Sequence, residues 1–376
     1  MKLLLTMLLP LITACSVDKV ADTTVGLDQP RANPLQATYS LNGLEVTLRD
    51  GRFDMPAAPG AAARITVSVF GPPVYGYLDD DQNMDAALIL VHQSGGSGTF
   101  YYVAAAIADE SGYRGTNAVL LGDRIVPKLV NIQHRSIVAE FLDRKTSQPF
   151  SATPTVAVSR YAFVDGHELV ALADDRIRSG WFTFGHEVSS YLPCGADEEL
   201  WVLGQSQALS DIRSTYSSML QGAHNYAPLF MLLAGQVVDP PDEGFGASYD
   251  GAFFAERLLD VKPAGNCRDA FIAVDTPAPG AVIESPLTIR GRARGTWFFE
   301  GDFPILLKDA DGDIIARSYV TAAKESMTTD FVDFSGSLSF TKPKPGSRGT
   351  LVFVKDNPSD QAELDDSTAI PVFFAD

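Results

Sequence analysis

The chain has 376 residues, with 47 Asp and Glu against 29 Lys and Arg, for a formal net charge of -18. That length suits two or three domains with real cores, and a hydrophobic content of 45% is ordinary for a globular protein. The acidic balance argues against nucleic acid or anionic lipid headgroups as partners.

The first fifteen residues carry the plainest signal. Lys2 is followed by an apolar run from Leu3 to Ile12 and then by Ile12-Thr13-Ala14-Cys15. The pattern resembles the bacterial lipobox, which implies a signal peptide over residues 1–14 and acylation of Cys15. The apolar run is too short to span a bilayer as a helix. Membrane attachment is then expected through lipidated Cys15. By the same resemblance, Ser16 in place of Asp points to the outer membrane. The expected location is the cell envelope, on the periplasmic face of that membrane or at the cell surface. Residues 15–34 are polar and read as a tether. With Cys15 acylated, Cys194 and Cys267 remain, and two cysteines in an oxidising compartment read as one disulfide.

Residues 35–165 read as an all-β domain. Leu44, Val46 and Leu48 alternate with polar residues, as do Ile65, Val67 and Val69. Further strands are predicted at 86–92, 99–108, 117–121, 136–142 and 155–163. Turn residues such as Gly71-Pro72-Pro73 and the 109–115 stretch separate them. Taken together, the run from Ala37 to Ile125 is similar to a module of envelope lipoproteins with no assigned activity. Asp165 to Ser179 is charged and reads as a linker.

Residues 180–268 read as a small α+β domain. Leu209, Ile212, Tyr216, Met219 and Leu220 have helical spacing, with Ser210-Asp211 as a cap and Gly222 as the stop. A buried strand is expected over 227–238, and either a strand or a short helix over 249–259. Phe184-Gly185-His186-Glu187, Pro193-Cys194-Gly195 and Asn266-Cys267 resemble, loosely, a cysteine-containing domain of envelope lipoproteins of the NlpE type.

Residues 270–376 carry a more specific pattern. Val274-Asp275-Thr276-Pro277 leads into Ser285-Pro286-Leu287-Thr288-Ile289, then Trp297-Phe298-Phe299-Glu300 and Gly349-Thr350-Leu351-Val352-Phe353. This stretch resembles the Gmad2 domain, an immunoglobulin-like module named from bacterial spore-germination proteins, which implies a β-sandwich. Short alternating strands between Gly, Pro and Asp turns agree with that independently. The expected fold class is therefore mainly β and multidomain.

Candidate sites are few. Asp79, Asp81 and Asp85 are spaced as in a degraded calcium loop, with Tyr77 where the first acid usually stands and Gln82 where glycine does. Ser94-Gly95-Gly96-Ser97-Gly98 leads into a strand, so neither a nucleophile elbow nor a phosphate loop fits, and a hairpin loop does. The five histidines have no metal-binding spacing. Trp297, Phe298 and Phe299 are a candidate interaction patch, and strand geometry would place Trp297 and Phe299 on one face and Phe298 on the other. No residue is assigned a catalytic role, and no cofactor or nucleic acid is expected. The function expected is that of a non-enzymatic, lipid-anchored envelope protein that binds or supports an envelope protein or polymer. A periplasmic enzyme or inhibitor, and a metal- or stress-sensing lipoprotein, are the alternatives.

Overall fold

A computed structural model describes residues 33–221, 223–341, 343–359 and 361–375. The expected signal peptide and Cys15, the expected tether up to residue 32, and Gly222 lie outside the described residues. The architecture is mainly β, as expected. No helix among the described residues is long and apolar enough to cross a membrane.

The first module starts with a hairpin of β1 (Thr38–Leu41) and β2 (Leu44–Thr47). One sheet follows: β3 (Arg52–Pro56), β4 (Arg64–Gly76), β5 (Asp85–Gln93), β6 (Phe100–Asp109) and β7 (Gly112–Gly115), with β8 (Val119–Asp123) also on β6. A second sheet holds β9 (Val126–Gln133), β10 (Ser136–Asp143), β11 (Val156–Asp165) and β12 (Glu168–Ala171). The central strands β5 and β6 are covered on both faces. Ala87, Ile89, Val103 and Ala105 pack on Ile137 and Phe141 of the second sheet. Leu88, Leu90, Tyr102 and Ala104 pack on Tyr39 and Val46 of the hairpin. Two-sided burial explains why these strands are near-continuous apolar runs. Gly115 lets the hairpin approach, since a Cβ there would sit 2.3 Å from the Thr38 carbonyl oxygen.

The predicted linker is structured: β12 completes the second sheet against β11, and β13 (Ile177–Phe184) opens the next module. There β14 (Ser189–Pro193), β15 (Leu200–Gly204), α1 (Ser206–Met219), β16 (Leu229–Val238) and β17 (Ala252–Val261) form a closed barrel in the order β13-β14-β15-β17-β16. This is a five-stranded barrel of the OB type with a helix between its third and fourth strands. The helix buries Ala208, Ile212 and Tyr216, the last two in one cluster with Phe182, Leu229 and Phe253. Ser210 and Asp211 lie within it rather than capping it, because Gln205 occupies the cap position. Residues 252–261 are a strand and not a helix, since the register with β16 needs them to close the barrel.

The third module has β18 (Ile272–Thr276), β19 (Val282–Ile283), β20 (Leu287–Arg294), β21 (Asp302–Lys308), β22 (Ile314–Ala322), β23 (Phe331–Leu338), β24 (Arg348–Val354) and β25 (Ser367–Phe374). β20 pairs with β23 and β21 with β24, so non-consecutive strands meet. β18 and β19 end the strand order on opposite sides. Every second residue of β20, β21 and β24 is buried, as a one-sided sheet requires.

Candidate ligand cleft between the first module and the barrel

A polar cleft lies where the second sheet of the first module meets the barrel. Three local devices build it. The first is the tight turn joining β9 to β10. His134 and Arg135 both have positive φ, 47° and 55°. A two-residue hairpin turn of this kind suits Asn or Gly, and other residues hold it at a cost of roughly 1–3 kcal/mol each. The strain is offset by contacts at the tip. Arg135 reaches Asp80 on one side and the Asp211 carboxylate at 2.9 Å on the other, and Gln133 Nε2 donates to the Leu259 carbonyl at 3.0 Å. The turn thus pins the first module to α1 and β17.

The second device is a bulge in β17. Ala234 pairs with Arg257 and Gly235 with Ala255, leaving Glu256 as the extra residue. Ala255 and Leu258 stay in the barrel core, and Glu256 and Arg257 both line the cleft. Bulges re-aim side chains in this way beside functional sites. The third device is the start of α1. Gln205 makes no side-chain capping bond and the first turn carries no acid, so the first-turn amides keep their capacity for an anion.

The cleft comprises two adjoining cavities of about 200 and 350 Å³, sharing Val164, Gln205, Glu256 and Arg257. The smaller extends to Asp79, Asp80, Arg135 and Asp211, and the larger to Phe163, Asp165 and Leu172. Most of the charges are mutually satisfied. Asp211 is held by Arg135, and Glu256 by Arg176. Arg257 has no ion-pair or hydrogen-bond partner among the described residues. Its guanidinium stacks 4.2 Å from the centroid of the Phe163 ring. Burial, followed by the nearby charge of Arg135, pushes the Arg257 pKa down, and Asp211, Asp165 and Glu256 oppose that. Asp165 also has no side-chain partner among the described residues.

None of Arg135, Asp165, Gln205 and Arg257 stands out in the sequence as a site. The signal available was the Glu256-Arg257 pair inside the apolar run from Ala252 to Leu259, a break in periodicity that a bulge explains.

The residues singled out from the sequence are placed as follows. Asp85 is fully buried. Its two oxygens accept the Leu78 N–H at 2.8 Å and the Ala108 N–H at 2.9 Å. Burial raises its pKa and these bonds oppose the rise. Asp79 and Asp81 form turn contacts, with Asp79 accepting from Asp81 N and Asp81 from Asn83 N. Asp85 is thus a clamp that closes the loop from beneath. Among the described residues, no three His, Cys, Asp or Glu side chains gather where they could hold a metal ion. Residues 94–99 are the loop of the β5–β6 hairpin. Cys194 and Cys267 form a disulfide.

The aromatic patch differs from its strand geometry. Gly295–Trp297 is a 3₁₀ turn, and Glu300 and Gly301 have positive φ in the tight turn that follows. Trp297 and Phe298 are therefore both in the sandwich core, 1% and 8% exposed, against Phe303. Phe299 alone faces out, at 44%. Arg294 is stacked on Phe331.

No curated protein and no solved structure matches the chain. The family model of Gmad2, described as an immunoglobulin-like domain of bacterial spore germination, matches residues 271–362. That stretch spans most of the third module, so the C-terminal sandwich of this chain is a Gmad2 immunoglobulin-like domain.

Proposed function

We propose that this is a lipid-anchored, non-enzymatic binding protein of the cell envelope, and that its ligand site is the cleft between the first module and the barrel. The observation that carries the reading is Arg257, a half-buried guanidinium lining a cavity, stacked on Phe163 and with no ion-pair or hydrogen-bond partner among the described residues. Leaving such a charge partly desolvated and unpaired is costly, and a bound polar group would relieve the cost. The cavity volume falls at the lower end of the ~300–1,000 Å³ typical of small-ligand pockets. The Lys2 and Leu3–Cys15 pattern supports the anchor, and stable attachment then requires two or more acyl chains. The sandwich, joined to the barrel away from the cleft, serves as a support and as a surface for an envelope partner.

The test is a thermal-shift screen of the full chain with amino acids, simple sugars and dicarboxylates, since a ligand that binds only the native state raises Tm. A shift with one of these classes that disappears in Arg257→Gln is expected. No shift with any class, or a shift that survives Arg257→Gln, refutes the cleft as the site. For the anchor, Cys15→Ala is expected to move the protein out of the membrane fraction or leave it unprocessed.

A further inference from the structure

We infer that the cleft takes a zwitterionic amino-acid head group with an apolar side chain, its carboxylate on Arg257 and its ammonium on Asp165. The inference rests on the cleft being the ligand site and specifies what that site recognises. Of the charges around the larger cavity, Glu256 is engaged by Arg176, and the neighbouring Asp211 by Arg135. Among the described residues this leaves one cation without a partner, half-buried Arg257, and one anion without a partner, exposed Asp165, both lining the same cavity of about 350 Å³. They are near enough for the Asp165 charge to act on Arg257, yet they form no ion pair, so more than 4.0 Å separates their charged atoms. Two opposite charges that line one small cavity without meeting are complementary to a compact molecule carrying both signs.

The polarity is set by the surroundings. Guanidinium binds carboxylate through parallel N–H donors, and Gln205 brings the uncapped start of α1 to the same wall. That start favours an anion and disfavours an ammonium. The rest of the wall is Phe163, Val164 and Leu172, which has no group to pair a third charge and can cover an aliphatic side chain. A simple anion would engage Arg257 alone and leave exposed Asp165 to water. A simple amine would do the converse.

The experiment is isothermal titration calorimetry of the full chain, in detergent, with leucine, dileucine, leucinamide and N-acetyl-leucine. Leucine is expected to bind saturably. Leucinamide, which lacks the carboxylate, and N-acetyl-leucine, which lacks the ammonium, are expected to bind at least tenfold more weakly. Arg257→Gln and the near-isosteric Asp165→Asn are each expected to weaken leucine at least tenfold, with the melting temperature of the unliganded variants confirming that they fold. Dileucine, which moves the ammonium and the carboxylate one residue apart, is expected to bind more weakly than leucine, and binding at or above the affinity of leucine overturns the single amino-acid head group in favour of a dipeptide. If N-acetyl-leucine binds as well as leucine, and Asp165→Asn leaves binding unchanged while Arg257→Gln abolishes it, the zwitterion inference is overturned and the cleft stands. If leucine binding survives Arg257→Gln, both fall. Absence of heat with all four ligands overturns the inference, and the wider screen above then decides the cleft.

Discussion

The barrel meets its two neighbours by opposite means. Toward the sandwich, the join is apolar and covalent. Trp181 and Phe230 leave the barrel surface to join the sandwich core, their rings packed edge to face at 4.9 Å. The Cys194–Cys267 disulfide lies against the same core. Asn266 accepts from Thr368 of β25 at 3.0 Å, and its own amide donates to the Ile272 carbonyl at 2.9 Å. Toward the first module, a smaller apolar cluster of Leu172, Ala234 and Leu259, with Tyr161, Phe163, Ile177 and Leu232 partly buried against it, sits beside the cleft, and it is joined by the polar contacts Arg135–Asp211, Arg176–Glu256 and Gln133 to the Leu259 carbonyl. Dense apolar packing leaves no space for a ligand. A polar join cannot close as tightly, because each charge must be paired or solvated. The first join therefore fixes two modules as one body, and the second leaves a cavity with recognition groups already in place.

Removing Trp181 should have the largest effect. Trp181→Ala deletes a ring that is only 5% exposed and is expected to cost about 3–5 kcal/mol. Denaturant unfolding should then show barrel and sandwich melting apart. A single transition with unchanged midpoint would mean that the apolar join does not couple them.

Next comes the disulfide, which closes a loop with a sequence separation of 73. Cys194→Ser with Cys267→Ser is expected to cost about 2–4 kcal/mol. Reductant should destabilise the parent protein and leave the double variant unaffected. Equal sensitivity of both proteins to reductant would sink this account.

Arg135→Ala should cost less, about 1 kcal/mol, because the arginine and its partner Asp211 remain 23% and 29% exposed and water screens such pairs. Its consequence should instead be seen at the polar join, as faster amide exchange at the β9–β10 turn and the first turn of α1. Protection unchanged at both places would show that the ion pairs do not hold the join.

The smallest effect is titration of His134. Burial holds its pKa below the ordinary 6.5, against the pull of Asp260 and Asp211. The folded state therefore favours the neutral ring. The stability tied to that preference is full above 6.5 and is lost as pH falls from 6.5 through the lowered folded value. His92, also lowered by burial, acts in the same window, so His134→Gln should remove part of the loss of Tm between about pH 7 and about pH 5. Asp85 has the opposite sign at lower pH. Its raised pKa means stability gained on acidification through that value, fully present below the ordinary 3.8. An identical acid profile in parent and His134→Gln would rule out a contribution from the turn.

Much of the architecture was legible because its cause is local. Alternation at Leu287 and Ile289 marks a strand with one buried face, and alternation at Ile370 and Val372 also marks a strand, although residues 370–374 are buried on both faces. Helical spacing at Ile212 and Tyr216 marks the side of α1 that packs into the barrel. The pairing of Cys194 with Cys267 followed from there being two cysteines left to pair. Residues 165–179 were illegible as structure because their partners are distant: β12 is a strand through β11, and β13 through β14 and β16. Trp297-Phe298-Phe299 misleads for a related reason. Three large rings suit a strand by propensity, but the close approach of Ser326 and Thr328 carbonyls at Gly295 turns the chain, sending two rings into the core.

The cleft belongs entirely to the tertiary structure. Arg135, Asp165, Gln205 and Arg257 come from a hairpin turn, a strand end, a helix cap and a strand bulge. They are separated by tens of residues, and each is unremarked in its own neighbourhood. By itself, the sequence determined the strands, the helix face, the disulfide partners and the immunoglobulin-like character of the last module, because periodicity and residue chemistry act over a few positions. Only the packing of the first module on the barrel decided that two opposite charges would face one cavity without meeting, since that depends on how two separately formed surfaces fit.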